Sequence, residues 1–316
     1  MTTMTRKKKT TNSLISDKHR AVSLKDAALS FIVRYMKDFK FDGQIKMVAL
    51  DLDGTTLNSE REITPRTIAA FEACKARGVH VVVSTGRTYS SLPENVTGAP
   101  GIEFAITSNG AHINYIKTGE AIYSDYLDPG AVEEVARLKE STRAYIEVFI
   151  DGIAYTDESY LEDVRQNGCA YRSAEYVLWS RKGVSDVSAF MLENKDIIEN
   201  VNFIYESVER LEECRPQIEA INNATITSSF PNNLEVGGPN TSKKTALIEL
   251  MSRLGVDRSE LMCCGDAPND IQMMEYAAVG VAVANAWGGT KDHADYITDS
   301  NDDDGVAKAI ERFVLR

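Results

Sequence analysis

The chain has 316 residues, a length that suits two domains better than one. Its 43% hydrophobic and 26% charged residues are those of an ordinary globular protein, and no run of about 18 apolar residues indicates a membrane span. The net charge is −12, divided into +5 over residues 1–20 and −17 over the remainder. Such an acidic body argues against nucleic acid as the main partner, although a bound divalent cation would still allow an anionic substrate.

The five cysteines are odd in number and form no Cys-x-x-Cys pair: Cys74, Cys169, Cys214, Cys263 and Cys264. This pattern favours reduced, buried thiols in a cytoplasmic protein over a disulfide framework or a zinc site. The basic start of the chain has no apolar stretch behind it, so we expect no secretory signal.

The first 44 residues divide into two segments. Residues 1–22 are polar and basic, which predicts a disordered tail. Apolar residues then recur at helical spacing, and Ser23 and Asp26 resemble a capping box, so we predict an amphipathic helix over residues 23–44. We expect this helix to pack on the domain or to pair with a second copy of the chain, rather than to lie on a membrane.

From Ile45 onward, apolar strands alternate with helices. The segments IKMVAL, VHVVVSTGR and EFAITSNGAHI predict strands, and TPRTIAAFEACKARG predicts a helix with Thr64 as its N-cap and Pro65 in first position. The same alternation returns after Glu235 and continues to a last helix over GVAKAIERFVL. Buried strands that alternate with helices are typical of a parallel sheet covered on both faces.

The middle of the chain follows a different pattern. AYIEVFIDGIAYTD contains two strand-like runs around Asp151-Gly152, a strong hairpin signal, and VNFIYE and ATITSS predict further strands. We therefore predict an α/β protein with a doubly wound parallel-sheet (Rossmann-like) core domain over residues 45–127 and 230–316. An α+β domain over residues 128–229 is inserted into it.

Two aspartates close the first strand of this core, in MVALDLDGTTLNS. At the carboxyl edge of a parallel sheet, Asp51 and Asp53 can project to the same side. Two neighbouring carboxylates repel each other unless a cation such as Mg²⁺ lies between them, and Gly54 permits a tight turn after them. The alternative is an exposed acidic turn, and the stretch alone favours the metal site over it.

A second acidic cluster, CCGDAPND, also ends an apolar strand. Asp266 and Asp270 could complete a metal site with the first pair. An Asx turn, or a helix cap made by Asn269 or Asp270, is the ordinary alternative. Two acidic clusters at carboxyl edges of one sheet favour the metal site more strongly than either cluster alone.

Two further segments suit an anionic ligand. In STGR, a hydroxyl of Ser84 or Thr85 precedes a glycine, a pattern that can hold phosphate with backbone N–H groups, whereas Arg87 is either a substrate contact or half of a surface ion pair. Lys243 and Lys244 begin a helix, where the helix dipole disfavours cations, so a lysine there can serve anionic groups. For either lysine taken alone, a solvated surface side chain is the ordinary alternative.

The motifs DLDGT, STGR, SKK and GDAPND stand in the order of the haloacid dehalogenase superfamily. The chain is most similar to the Cof-like phosphatases of that superfamily, which carry a large α+β (type C2) cap domain between the second and third motifs. The resemblance covers about residues 45–316 and implies that the domain over residues 128–229 is such a cap. It also implies a Mg²⁺-dependent phosphoric monoester hydrolase.

The resemblance also implies roles for single residues. Asp51 would be the nucleophile that forms an aspartyl-phosphate, and Asp53 would be the general acid and then the general base. Mg²⁺ would be held by the Asp51 carboxylate, the Asp53 main-chain carbonyl and Asp266, with Asp270 in support. Further roles fall on Thr85 (or Ser84) at the transferred phosphoryl group, on Lys243 (with Lys244 where a glycine is common), and on Gly86, Arg87, Asn109 and Asn269 at the phosphate or substrate.

We therefore expect hydrolysis of a small phosphorylated metabolite, with a sugar phosphate as the first candidate and nucleotides or a phosphorylated cofactor as others. One alternative is a phosphomutase or phosphotransferase of the same superfamily. Another is a catalytically idle sensor of phosphorylated ligands, against which the intact Asp51, Asp53, Lys243 and Asp266 argue.

Overall fold

The computed structural model describes residues 39–169 and 172–316. In chain order, its strands are β1 Met47–Leu50, β2 His80–Ser84, β3 Ile102–Thr107, β4 His112–Tyr115, β5 Ala121–Ser124, β6 Tyr145–Ile150, β7 Ile153–Asp157, β8 Arg181–Val184, β9 Ile198–Ile204, β10 Thr225–Thr227, β11 Asn233–Gly237, β12 Leu261–Gly265, β13 Val279–Ala282 and β14 Tyr296–Ile297. Its α-helices are α1 Pro65–Ala76, α2 Glu94–Thr97, α3 Pro129–Thr142, α4 Glu158–Asn167, α5 Ala174–Ser180, α6 Val187–Glu193, α7 Val208–Glu219, α8 Lys243–Leu254, α9 Ile271–Tyr276 and α10 Gly305–Phe313.

The core domain is built on an eight-stranded sheet in the order β14-β13-β12-β1-β2-β3-β4-β5. Strand β1 lies between β12 and β2, and Leu50 pairs with Cys264 on one side and Val83 on the other, all in parallel register. The three strands therefore end side by side. This register places the residues that follow them, Asp51, Thr85 and Asp266, at one carboxyl edge of the sheet, as a doubly wound fold requires.

Helices cover both faces of this sheet, which confirms the predicted architecture. On one face, Phe71 of α1 and Ile310 of α10 pack with Val48 and Leu50 of β1. On the other face, Leu247 and Leu250 of α8 and Met273 of α9 pack with Met47 and Ala49. The alternation along Met47–Leu50 thus sends successive side chains into two separate apolar cores, so the strand is buried throughout.

The edge of the sheet differs from the purely parallel prediction. Strands β4 and β5 pair antiparallel with β3 and with each other. Only the short turn Ser108–Gly110 joins β3 to β4, and this is too short for the crossover that a parallel neighbour would need.

The inserted cap has a six-stranded sheet in the order β10-β11-β9-β6-β7-β8. The predicted hairpin is present, with Asp151 and Gly152 at φ 49° and 70° between β6 and β7. One face of the sheet packs through Ile146, Val148 and Val201 against helices α3, α6 and α7. The opposite face carries polar residues and faces the core domain.

Two predicted boundaries need correction. Strand β11 pairs with β9 in the cap sheet, so the predicted boundary after residue 229 cuts through that sheet, and the cap extends to Gly237. The predicted helix over residues 23–44 is wrong for residues 39–44, which are not helical. There the ring of Phe39 packs edge-on against Phe313 at 5.9 Å between ring centroids, and Gly43 disfavours a helix. Residues 1–38, with the predicted tail, the rest of that helix and its proposed self-association, lie outside the described residues.

Candidate active site

Three carboxylates meet at the carboxyl edge of the core sheet. Asp51, Asp266 and Asp270 are all buried and offer ligand oxygens within 4.8 Å of one another. Asp266 also accepts a 2.8 Å hydrogen bond from the hydroxyl of Thr55. Gly54 makes this approach possible, because a Cβ atom at its position would lie 2.8 Å from Oδ2 of Asp266, and its φ of +79° also favours glycine.

A buried lysine contacts two of these carboxylates. The Lys243 ammonium lies 2.6 Å from Asp51 Oδ1 and 2.7 Å from Asp270 Oδ1, and its side chain has no exposed surface. Burial would lower the pKa of Lys243, but the two carboxylates raise it overall, so the lysine stays charged. Its neighbour Lys244 is half-buried and takes part in no ion pair among the described residues. The geometry therefore identifies Lys243, rather than Lys244, as the lysine that contacts the carboxylates, a choice that the sequence left partly open.

The position of Lys243 depends on a close contact between two turns. Lys243 is the first residue of α8, whose N-cap Ser242 accepts a hydrogen bond from the amide of Thr245. Gly110, in the turn after β3, lies against this helix start, and a Cβ there would lie 2.2 Å from the carbonyl oxygen of Ser242. A side chain at residue 110 would therefore push the lysine away from the carboxylates.

Asp270 makes its contacts with both oxygens. Oδ1 faces Lys243, while Oδ2 accepts hydrogen bonds from the amides of Asp266 and Ala267, both at 3.0 Å. It therefore fixes the turn that carries Asp266 and also contributes negative charge. The turn interpretation and the metal-site interpretation of this segment are thus compatible.

Asp53 lies apart from this cluster. Its side chain is 56% exposed and forms a two-point ion pair with Arg87, at 2.7 Å to Nε and 2.6 Å to Nη2. Burial of the pocket would raise the pKa of Asp53, but Arg87 lowers it overall. The sequence left Arg87 as either a substrate contact or half of an ion pair. The structure shows the ion pair, and Arg87 also lines the cavity described below.

The hydroxyl in STGR that faces the site is Thr85. It lines the cavity, and its Oγ1 accepts a hydrogen bond of 3.1 Å from the amide of Arg87. Ser84 is fully buried, and its Oγ has no hydrogen-bond partner among the described residues. Thr85 is thus the residue of the two that can reach a ligand.

Asn109 and Asn269 meet on the cap side of the cluster. Asn269 donates to the Asn109 side-chain oxygen at 3.0 Å, and Asn109 donates to Glu235 Oε2 at 2.7 Å. Ser108 and Asn109 have φ of 50° and 56°, a strained backbone. The buried Glu199 of β9 accepts a 2.6 Å hydrogen bond from Ser108 and so holds this turn of the core against the cap.

The polar face of the cap sheet forms one row across three strands. Glu147 of β6 pairs with Asn202 of β9, which pairs with Glu235 of β11. Glu147 binds Arg181 through two bonds of 2.9 Å and Arg172 at 3.1 Å. Burial would raise the pKa of Glu147, but the two arginines hold it at about 2.

Glu147 should therefore stabilise the fold in a pH-dependent way. Its pKa is depressed from 4.5 to about 2, so we expect a contribution of about 3 kcal/mol above pH 4.5 that is lost as the pH falls toward 2. The variant Glu147→Gln should lower the free energy of unfolding by about this amount at pH 7 in urea titrations. The difference in the free energy of unfolding between variant and wild type should shrink as the pH falls below 4.5. A difference that is independent of pH would contradict this account.

A cavity of about 280 Å³ separates the cap from the core. Every predicted site residue except Asn109, Lys243 and Asp270 lines it, and those three bond to residues that do. Most of the lining residues that the sequence did not predict come from the cap, namely Phe149, Ala154, Arg172, Ser173, Tyr176, Arg181, Ser229, Phe230 and Glu235. The others come from the core, namely Arg61, Thr88, Ser91 and Ala267. A volume near the lower end of the usual range for ligand pockets, about 300–1,000 Å³, suits a small metabolite.

The residues present fit a divalent cation. Three buried carboxylates facing one lysine carry an excess of negative charge in a place where solvation is poor. Burial, together with Asp270, raises the pKa of Asp266 to about 7. A hard cation with oxygen ligands would relieve this repulsion, and Mg²⁺ prefers such ligands.

Comparisons with known proteins identify a family for this chain. The family model described as haloacid dehalogenase-like hydrolase matches residues 48–310. The chain is 32% identical over 279 residues to the 5-amino-6-(5-phospho-D-ribitylamino)uracil phosphatase YcsE of Bacillus subtilis, covering 87% of this chain and 98% of that protein. It is 30% identical to the phosphatase YwpJ of the same organism, covering 85% of this chain and 100% of that protein.

Solved structures share the fold. A haloacid dehalogenase-like hydrolase from B. subtilis superposes with a TM-score of 0.73 at 27% identity, covering 85% of this chain and 100% of that chain. Another from Bacteroides thetaiotaomicron gives 0.67 at 26% identity, covering 85% and 99%. The chain thus shares its overall fold with these proteins.

Proposed function

Because the chain belongs to the haloacid dehalogenase-like hydrolases and is a phosphatase of that family, we propose that it hydrolyses a small phosphorylated metabolite with the help of Mg²⁺. The observation that carries this proposal is the meeting of Asp51, Asp266, Asp270 and Lys243 at one sheet edge, beside a cavity closed by the cap. When bound, the cation would offset charge on the phosphoryl oxygens.

In the first half of the reaction, an Asp51 carboxylate oxygen would attack phosphorus, and the bond to the leaving oxygen would break. The aspartyl-phosphate forms, and Asp53 would give a proton to the leaving oxygen. Lys243, fixed at 2.6 Å from Asp51, would stabilise the negative charge that spreads over the transferred group, and Thr85 would donate a hydrogen bond to it.

In the second half, Asp53 would take a proton from water, which attacks the phosphorus and restores Asp51. The ion pair with Arg87 fixes the direction of the Asp53 carboxylate and favours the base form that this half uses. Proton donation in the first half would need protonated Asp53, so the bound substrate would have to weaken this ion pair. Asn109, Asn269, Gly86 and Arg87 would position the phosphate or the rest of the substrate. Asp51, Asp266 and the Asp53 carbonyl, supported by Asp270, would hold the cation.

Candidate substrates are those of the relatives and those expected from the sequence. A sugar phosphate remains our first candidate. YcsE is named for 5-amino-6-(5-phospho-D-ribitylamino)uracil, a phosphorylated polyol on a pyrimidine, and this compound is the second.

We also propose a cytoplasmic location, which is supported by five cysteines that form no disulfide. Among the described residues, no helix has the length and apolar character needed to cross a bilayer.

The purified protein should release inorganic phosphate from a generic aryl phosphate when Mg²⁺ is present. Removal of divalent cations with a chelator should abolish release, and added Mg²⁺ should restore it, because a cation held by Asp51, Asp266 and Asp270 would offset charge on the phosphoryl oxygens. Full activity in the chelator would refute the metal requirement. Transfer of the phosphoryl group to a second hydroxyl rather than to water would indicate a phosphomutase, and tight binding without release would indicate a sensor.

A further inference from the structure

The cavity wall is rich in guanidinium groups. Four arginines line it, two from the core and two from the cap: Arg61, Arg87, Arg172 and Arg181. Three carboxylates lie among them, namely Asp53, Glu147 and Glu235. Even with all three ionised, the four guanidinium groups leave this wall one positive charge in excess, while Asp51 and Asp266, which would hold the metal, line the same cavity.

Two of the four arginines are each fixed by a carboxylate and by an aromatic ring. Arg87 is paired with Asp53, and Arg181 with Glu147, each through two hydrogen bonds. Their guanidinium carbons also lie 4.7 and 4.9 Å from the ring centre of Tyr176. These contacts fix the shape of the wall and leave these two groups few donors for a ligand.

The other two arginines keep donors for a ligand. Arg172 binds Glu147 through Nη1 alone, so its Nε and Nη2 have no partner among the described residues, and its side chain is 16% exposed at the cavity. Arg61 is exposed and forms no ion pair within residues 39–169 and 172–316. Its guanidinium lies 5.7 Å from the ring centre of Tyr176 and so reaches across from the core to the cap.

The aromatic residues of the wall do not favour a stacked ring as the ligand. Arg87 and Arg181 already lie over the Tyr176 ring, and Arg172 lies 4.3 Å from the ring centre of Phe230. A planar ligand would have to compete with three guanidinium groups to stack on Tyr176 and with that of Arg172 to stack on Phe230. An anion would instead be attracted by the same groups, and a guanidinium can bind a carboxylate or phosphate through two hydrogen bonds.

We propose that Arg172 and Arg61 bind a second anionic group of the substrate, a carboxylate or a second phosphate, at the end of the molecule away from the phosphate that is hydrolysed. This inference rests on the proposed phosphatase activity and narrows its substrate class: it favours sugar phosphates with a second anionic end over the compound for which YcsE is named, whose far end is a pyrimidine ring. A small phosphorylated acid or bisphosphate fits, because the 280 Å³ cavity has room for a short chain between the two anionic ends.

Substrates that differ only at the far end would test this proposal. Phosphate release should be measured with glucitol 6-phosphate, gluconate 6-phosphate and glucitol 1,6-bisphosphate, which end in a hydroxyl, a carboxylate and a phosphate. For wild type, kcat/KM should be about tenfold or more higher for at least one anionic compound than for the neutral one, as expected for charge-assisted hydrogen bonds. The two anionic compounds distinguish a carboxylate site from a phosphate site.

Variants then connect this preference to the two arginines. Arg172→Gln should bring the ratio of anionic to neutral kcat/KM close to one, while Arg172→Lys should keep part of it. Since Arg172 also binds the buried Glu147, Arg61→Gln provides a second variant that removes only an exposed side chain. Arg165→Gln is the matched control, because Arg165 is exposed on the cap and, among the described residues, forms an ion pair with Glu162 alone.

The outcomes separate the two proposals. If wild type hydrolyses an aryl phosphate but shows no preference for an anionic tail, the substrate class is wrong and the phosphatase assignment stands. An equal ratio in wild type, Arg172→Gln and Arg61→Gln would likewise overturn the role of these arginines. If no phosphate is released from any ester, the proposed function itself fails, and the inference fails with it.

Discussion

Substituting Asp51 by Asn should abolish phosphate release from any substrate. Asn cannot form the aspartyl-phosphate, so we expect kcat to fall by a factor on the order of 10⁴ or more. The protein should still fold, because Asn has nearly the same shape and retains an oxygen that can accept the 2.6 Å hydrogen bond from Lys243. Phosphate release under saturating Mg²⁺ measures the loss, and circular dichroism checks the fold.

Three comparisons make this experiment decisive. Asp53→Asn should be less severe with an aryl phosphate, whose leaving group needs little protonation, and its defect should grow to about 10²–10⁴-fold with an alkyl phosphate. Asp53→Asn should also weaken metal binding less than Asp51→Ala does, since Asp53 is proposed to bind metal only through its carbonyl. Asp196→Asn, at an exposed carboxylate of the cap, should behave as wild type. Turnover by Asp51→Asn at the wild-type rate would refute the nucleophile assignment.

The core of the site was predictable because its residues follow strands whose order along the sheet is set by simple rules. Apolar runs identified β1, β2 and β12, and parallel strands place the residues after them at a common edge. Acidic residues and a hydroxyl at three such ends therefore had to lie close together. The lysine required the family motif as well, since two lysines begin α8, and only the structure shows that the first one enters the cluster.

The cap side of the site was not predictable in the same way. Arg172 and Tyr176 lie outside strands, and their position depends on how the cap closes over the core, which has no local signal. One signal was present but unused. Glu147, Glu199 and Glu235 each lie within a strand beside apolar residues and are at most 1% exposed. A buried carboxylate in a strand needs partners, so these residues indicated the polar face that closes the site.

The second large effect should come from Lys243→Met. Methionine keeps the length of the side chain but removes the charge that faces Asp51 and Asp270, which are both buried. Breaking a buried ion pair from one side typically costs about 3–5 kcal/mol, and we expect a loss of that size in the free energy of unfolding without metal. Activity should fall by a factor on the order of 10²–10³, because charge on the transferred phosphoryl group is no longer offset by the lysine.

The same variant should respond more strongly to Mg²⁺ than wild type does. Without the ammonium group, the three carboxylates have no internal cation, so Mg²⁺ should bind them more tightly than in wild type. The free energy of unfolding should therefore rise more with Mg²⁺ concentration in the variant. Urea denaturation at several Mg²⁺ concentrations measures this difference. Lys244→Met is the matched control, since it changes the next residue of the same helix, has no ion pair among the described residues and should shift stability by about 0.5 kcal/mol or less. Equal Mg²⁺ responses in wild type and Lys243→Met would show that the lysine and the metal do not share these carboxylates.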